Sequence, residues 1–363
     1  MASLAAADWN EEETYLSIVT AGSPEELRAR RTACQQVLLQ QLNVIPVEEW
    51  MYRVNAMHDQ LARTAVRICE AQMKEAGYGL PPCAYSFIVF GSAGRQEATL
   101  WSDQDNGLIV AEELEGDRQA YFEAFGIRLS GMLEVIGYEK CDGRVMCSEP
   151  LWRKSLAEWK RQLADWGEQL EWEPVRYLII ASDMRHVAGS AELSAQWREA
   201  LHAGFADNSA LMTAVLRNTV RHKATLNLLG QVLTERFGDN AGGFDVKYGL
   251  YIPLVNIVRH WSLLHGIGDT STLKRLGQLE RLAEPGQYKH LPEIRQACLT
   301  ALRMRVNTPY TWTDGLLASS DYYAEQDLKN KQLRAELRES LLLIRRLHKA
   351  LQRQLRSAER RQP

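Results

Sequence analysis

The sequence predicts an α+β protein: a mixed-sheet α/β domain flanked by an N-terminal helical segment and a C-terminal helix bundle. Three observations carry that expectation. Residues 85–90 and 107–110 are short apolar runs bounded by turn residues, and they read as buried strands. On either side of this region, apolar residues recur every three or four positions, the period of helices packed on one face. Between the two runs stand Gly91-Ser92-Ala93-Gly94 and the pair Asp103-Gln104-Asp105, a concentration of turn formers and carboxylates that suits a site better than a core. The expected segments are 1–80, 81–190 and 191–363.

Along the chain, Ser23-Pro24-Glu25-Glu26 marks a helix start, with a serine cap, a proline in the first turn and acids that favour the helix dipole. A second helix is expected over 47–76, with Val54, Met57, Leu61, Ala65 and Ile68 on one face; His58 and Asp59 within it are assigned packing or capping duties. Strand 85–90 follows Pro81-Pro82 and ends at Gly91, and residues 95–98 are expected to start a helix. After the second strand come a helix over 119–136, a third strand over 144–147 and a later strand over 177–181. Trp152, Leu156, Trp159, Leu163, Trp166 and Leu170 alternate by four and three, which fits a core stripe better than a platform for a base. Beyond residue 181 the chain reads as almost wholly helical, with helices over 209–236, 252–265, 291–305 and 329–355 and a loop over 239–247. Between Lys331 and Arg361 ten Lys or Arg face three Glu, while Leu333, Leu337, Leu341, Ile344, Leu347, Leu351 and Leu355 keep a helical seam. That pattern fits an amphipathic helix with a basic outer face, and with no interleaved aromatics nucleic-acid binding is not expected.

The chemistry concentrates in 91–105. Gly91 allows close approach of a ligand, Ser92 adds a hydroxyl, and a glycine turn can hold phosphate oxygens. Residues two apart in a strand share a face about 6.6 to 7 Å apart, so Asp103 and Asp105 can reach one pocket in which two metals would lie about 3.5 to 4 Å apart. Mg²⁺ prefers such oxygen ligands and completes its shell with substrate phosphates.

Gly91-Ser92-Ala93-Gly94-Arg95-Gln96-Glu97 followed by Ser102-Asp103-Gln104-Asp105-Asn106 resembles the signature of bacterial nucleotidyltransferases related to the amino-terminal domain of protein-PII uridylyltransferase. Gly143-Arg144-Val145-Met146 with Pro150-Leu151-Trp152, Asp183-Met184-Arg185 with Gly189, Asp245-Val246-Lys247, and Thr272 with Arg275-Leu276 resemble later landmarks of that family, including its helical carboxy-terminal region. The resemblance implies a polymerase-beta-like sheet, Mg²⁺ (or Mn²⁺) as cofactor, an NTP as substrate, and transfer of NMP, with UMP the first candidate, to an acceptor hydroxyl on a protein. Asp103 and Asp105 would be the catalytic metal ligands. Gly91, Ser92 and Arg95 would bind the phosphates, Arg95 also offsetting transition-state charge; Lys247, by its place in the loop over 239–247, is either a nucleotide contact across a domain cleft or a solvated lysine. The wider superfamily takes a third carboxylate from a later strand, yet the expected strand 144–147 carries none; Asp142, Glu149 and Asp183 lie nearby, and the third ligand stays unassigned. Relatives append sensor modules before the transferase domain, whereas the segment before Pro81 has room for a few helices only.

With 45% hydrophobic and 25% charged residues, 363 residues suit two domains plus helical extensions. A net charge of -3 gives no pull toward nucleic acid or membrane, and the absence of a signal-like or membrane-spanning run leads to the expectation of a cytoplasmic protein with six free thiols. Two functional classes follow: an active nucleotidyltransferase, and a catalytically inactive nucleotide-binding regulatory module. The acceptor, the preferred base and the oligomeric state are not encoded in any recognisable pattern.

Overall fold

The structure, a computed structural model, describes residues 11–206, 208–221, 225, 226, 232–235, 237, 238, 240–282, 284, 288, 290–324 and 326–360. The chain divides into two compact units. The first comprises residues 1–163, 180–201 and 313–316, and the second 164–179, 202–312 and 317–363. Residues 11–80 fall in the same unit as the sheet.

In the first unit, α1 (Glu11–Val19), α2 (Pro24–Gln41) and α3 (Val47–Glu75) precede β1 (Tyr85–Val89). Ser23 caps α2 by accepting from the Glu26 amide, with Pro24 in the first turn. A four-residue turn of helix, α4 (Gly91–Gly94), separates β1 from β2 (Asn106–Val110); α5 (Gly116–Ile136) and β3 (Arg153–Ser155) follow, and β4 (Arg185–Gly189) completes the sheet. The strand order is β3-β2-β1-β4, with β1 antiparallel to both neighbours and β2 parallel to β3. Both central strands are buried along their whole length, as continuous apolar runs covered on two faces should be.

Two expected strands take other forms. Residues 144–147 are a loop: Arg144 has a φ of 55°, and the backbone that follows is held by Asn106, whose amide donates to the Val145 carbonyl and whose Oδ1 accepts from the Cys147 amide. The parallel partner of β2 is β3 instead. Residues 177–181 lie in a helix, α7 (Trp172–Ala181), which starts with Glu173 and Pro174 in its first turn; a short apolar run fits a buried helix as well as a strand, and the proline decides it. The tryptophan stripe does pack as core. Helix α6 (Leu156–Gln169) buries Trp159, whose indole N–H donates to the Leu108 carbonyl, and Trp152 and Trp159 lie fully buried in an aromatic cluster with Phe90 and Trp197.

After α8 (Ala191–Phe205), the second unit contains α9 (Ser209–Thr219), β5 (Phe244–Asp245), a π-helical turn (Lys247–Tyr251) leading into α10 (Ile252–Leu264), α11 (Thr272–Leu282), α12 (Leu291–Val306), most of the strands β6 (Tyr310–Thr313) and β7 (Leu316–Ser319), whose residues 313 and 316 are assigned to the first unit, β8 (Tyr322–Tyr323), and α13 (Lys331–Glu359). The helix expected over 209–236 stops at Thr219; among the described residues beyond it, Leu226 bridges to Val232, and the rest of that span is partly outside the described residues. The loop expected over 239–247 contains β5, paired with β8, and β6 and β7 form a hairpin around Asp314-Gly315, the turn dipeptide that marks such hairpins. Helix α13 buries Leu337, Leu341, Ile344, Leu347 and Leu351, the seam read from the sequence. Among the described residues no helix is long and apolar enough to cross a membrane.

Candidate active site

Asp103 and Asp105 lie one step ahead of β2 rather than in it, because the strand proper begins at Asn106. The strand-like alternation nevertheless extends back to them. Ser102, Gln104 and Asn106 are buried while Asp103 and Asp105 are half-buried, so the two carboxylates share the more accessible face. Polar anchors hold the segment from beneath. Ser102 Oγ accepts from the Thr99 amide at 2.9 Å, the Gln104 amide group donates to the Ser130 and Tyr138 carbonyls at 3.0 Å each, and the Phe90 amide donates to the Asp105 carbonyl at 2.9 Å.

The Gly-Ser turn is shaped around one of these carboxylates. Gly91 has a φ of 54°, and a Cβ built on it would lie 2.1 Å from Asp105 Oδ2, so only glycine lets the Asp105 side chain rest on the turn. Gly94 meets the other side of the site: a Cβ there would sit 1.9 Å from the Asp183 carbonyl oxygen. The helix expected to start at 95 is instead this single turn, which closes when the Gly94 and Arg95 amides donate to the Phe90 and Gly91 carbonyls. Ser92 is half-buried within it.

Arg95, expected to face phosphate, is 4% exposed and committed elsewhere. Its Nε donates to Glu97 at 2.9 Å and its Nη1 to Asp183 at 2.5 Å, in a triad of buried charges. Asp183, weighed as a third metal ligand, is thereby engaged with a guanidinium. Arg185, which the sequence reading did not single out for a role, donates both to Asp59, at 2.7 and 2.8 Å, and to the Ala93 carbonyl at 2.9 Å. The Asp183-Met184-Arg185 landmark thus grips the Gly-Ser turn twice, through Arg95 and through Ala93.

Asp103, Asp105, Asp59, His58, Ala93 and Tyr138 are among the residues lining a cavity of about 50 Å³, with room for an ion or a few waters but not for a nucleotide. Among the described residues no three His, Cys, Asp or Glu side chains are grouped to hold a metal. Asp103 and Asp105 both line the cavity, and carboxylate oxygens are the donors that Mg²⁺ takes when phosphates supply further ligands, so the donor chemistry suits the ion. Below the pair, His58 Nδ1 meets the Tyr138 hydroxyl at 2.7 Å and Nε2 the Thr99 carbonyl at 2.9 Å. The carbonyl can only accept, which fixes the proton on Nε2 and makes Nδ1 the acceptor. Burial, followed by the Arg31 charge, pulls the imidazole down to about 3, so it stays neutral and structural. Cys141, a free thiol as expected, lies beside the pair; burial first, then the Asp105 carboxylate, pushes it up to about 12.

Residues 31–173 match the family described as "Putative nucleotidyltransferase DUF294", and residues 209–355 match the "Putative nucleotidyltransferase substrate binding domain". The two matches follow one another along the chain, a transferase-type region and then a substrate-binding region. The first match contains α4 and the Asp103–Asp105 pair; the second contains Lys247, α9 to α12 and most of α13. No curated protein matches the chain. Lys247 begins the π-helical turn of the second unit, a third exposed, with its ammonium 3.8 Å from Asp321.

Proposed function

We propose that the chain transfers a nucleoside monophosphate from an NTP to an acceptor hydroxyl, with Asp103 and Asp105 as its metal-binding carboxylates. The observation that carries this reading is the pair itself: two half-buried carboxylates on one face, with Asp105 seated on a glycine that no other residue could replace without moving it. In the reaction, the acceptor oxygen forms a bond to the α-phosphorus as the bond to the departing pyrophosphate breaks. Mg²⁺ (or Mn²⁺), when bound, would neutralise charge that develops on the phosphates. Ser92 and the amides at the head of the turn face the β and γ phosphates, amides that a first helical turn leaves unbonded. Arg95 is a positioning residue in this scheme: it ties the turn to Asp183 so that Ser92 and Asp105 keep their geometry. Lys247 is the contribution of the substrate-binding domain to the nucleotide. UMP as the transferred group and a protein hydroxyl as acceptor are the finer form of the proposal and rest on the likeness of residues 91–106 to protein-PII uridylyltransferase.

A specific observation favours the second reading, a nucleotide-binding module without turnover. Asp59, which lines the same cavity, and Asp183, whose carbonyl meets Gly94, are each engaged with an arginine. Incubation with NTPs labelled at the α-phosphate, alongside direct measurement of NTP binding, separates the two. Label transferred to an acceptor in the wild-type protein and absent after Asp103→Asn with Asp105→Asn establishes the enzyme; binding without transfer across acceptors establishes the module.

A further inference from the structure

The second unit holds a pocket of about 850 Å³ with a chemistry opposite to that of the carboxylate site. Its floor is buried Phe205, Met212, Leu216 and Leu263, and one wall is the ring pair Trp261 and Tyr288, whose centroids are 4.6 Å apart. The His265 ring nitrogen, 3.0 Å from the Tyr288 hydroxyl, holds the tyrosine in place. Among the described residues, no Lys, Arg, Asp or Glu lines the pocket. That composition disfavours phosphate or any other charged group, which would lose its hydration without gaining a partner.

One polar group stands out. His260 lines the pocket at 3% exposure, and among the described residues its Nδ1 has no hydrogen-bond partner. Burial draws this imidazole down to about 4, so it is neutral at pH 7 and adds hydrogen-bonding capacity without charge. Buried polar atoms are nearly always partnered, and an unpartnered one in a pocket wall indicates what a ligand should bring. The volume lies within the range of small-molecule sites, which combine apolar and aromatic walls with a few polar groups.

We propose that this pocket binds an uncharged planar ring, inserted against the Trp261–Tyr288 pair and presenting a polar edge to His260. Such a ring is found in a nucleoside and in a phenol or indole, and both sources share the chemistry that the pocket selects. The inference stands apart from the transfer reaction, because no residue that lines this pocket has a role in that reaction.

The test uses the full chain, with calorimetry and saturation-transfer NMR against the four ribonucleosides in one arm and phenol, indole and tyrosine amide in the other. Binding in either arm is expected and identifies the source; no binding in both arms overturns the proposal. Ala206→Trp places a bulky side chain at the exposed rim without disturbing the core, and should weaken the ring ligand by about tenfold or more, the size of effect expected when stacking contacts are lost. Trp261→Leu should weaken it similarly, with folding of both variants checked by circular dichroism. Binding that survives Ala206→Trp in a folded protein overturns the assignment to this pocket, as does phosphate alone competing with the ring. The Asp103→Asn and Asp105→Asn protein should bind the ring as the wild type does. Loss of binding there would refute the independence claimed for this pocket, whereas loss of transfer alone bears only on the carboxylate site.

Discussion

The two units answer the problem of ligand binding in opposite ways. In the first, the cavity beside Asp103 and Asp105 is small and rich in carboxylates, and the arginines nearest to it are tied to acids: Arg95 to Glu97 and Asp183, Arg185 to Asp59. In the second, a much larger pocket is lined by rings and aliphatic side chains without charge among its described residues. The first therefore fixes geometry through paired charges, while the second offers dispersion and one neutral imidazole.

The comparison breaks first at the acidic pair. Replacing both carboxylates, Asp103→Asn with Asp105→Asn, should abolish Mg²⁺-dependent NTP binding and transfer while leaving the melting temperature close to wild type, because the amides keep the shape of half-buried side chains. Undiminished Mg²⁺-dependent binding in calorimetry would remove the metal assignment.

The second prediction concerns the charges that are paired rather than free. Arg95 and Asp183 are both nearly fully buried, and removing Asp183 leaves the guanidinium with less compensation, from Glu97, in a low-dielectric interior. Asp183→Ala should lower the unfolding free energy in urea by about 3 to 5 kcal/mol. If Arg95 instead belonged to the phosphate site, its release would leave stability near wild type and tighten NTP, so the two outcomes separate a clamp from a ligand.

These two predictions show what the sequence disclosed and what it withheld. The dipeptide Gly91-Ser92 and the spacing of Asp103 and Asp105 were legible because their chemistry is local: a turn needs glycine, and residues two apart share a face. Helices α2, α3, α10 and α13 were legible from caps and periodicity. The partner of Arg95 was not, since Asp183 is 88 positions away and no local pattern encodes a tertiary ion pair. The third and fourth strands were misplaced for a related reason. A three-residue strand such as β3 has no period to read, and the run before Ala181 is apolar enough to serve as helix or strand until Pro174 is weighed as a helix start. The hairpin of β6 and β7 did leave a signal, Asp314-Gly315 between β-branched and aromatic residues, which a helix-dominated reading of the second half passed over.

Lys247 tests whether the second unit touches the nucleotide's phosphates at all. It is a third exposed and pairs only loosely with Asp321, so its charge is available to a ligand. Lys247→Ala should weaken NTP affinity by about 1.5 to 3 kcal/mol, the range for a charge-assisted hydrogen bond. Equal affinity in a titration would confine the phosphates to the first unit and sharpen the division drawn above.

The effect that builds most gradually, and the one common to both units, is acid sensitivity. His58 in the first unit and His260 in the second are held neutral by burial, at about 3 and about 4 against an ordinary value of 6.5. Below pH 6.5 the unfolded chain takes up protons that the folded chain refuses, so the stability these residues confer is complete above that pH and declines as pH falls toward their folded values. Each should cost about 1.4 kcal/mol per pH unit through that window. His58→Gln keeps a side-chain amide able to donate toward Thr99 but cannot titrate, so it should flatten the pH dependence of the first unit's unfolding and leave that of the second unchanged. Urea melts at pH 7, 6 and 5 with probes in each unit read this directly: an unchanged slope for the first unit in the variant would show that His58 is not held neutral, and with it would go the hydrogen-bonded support inferred beneath the carboxylate pair.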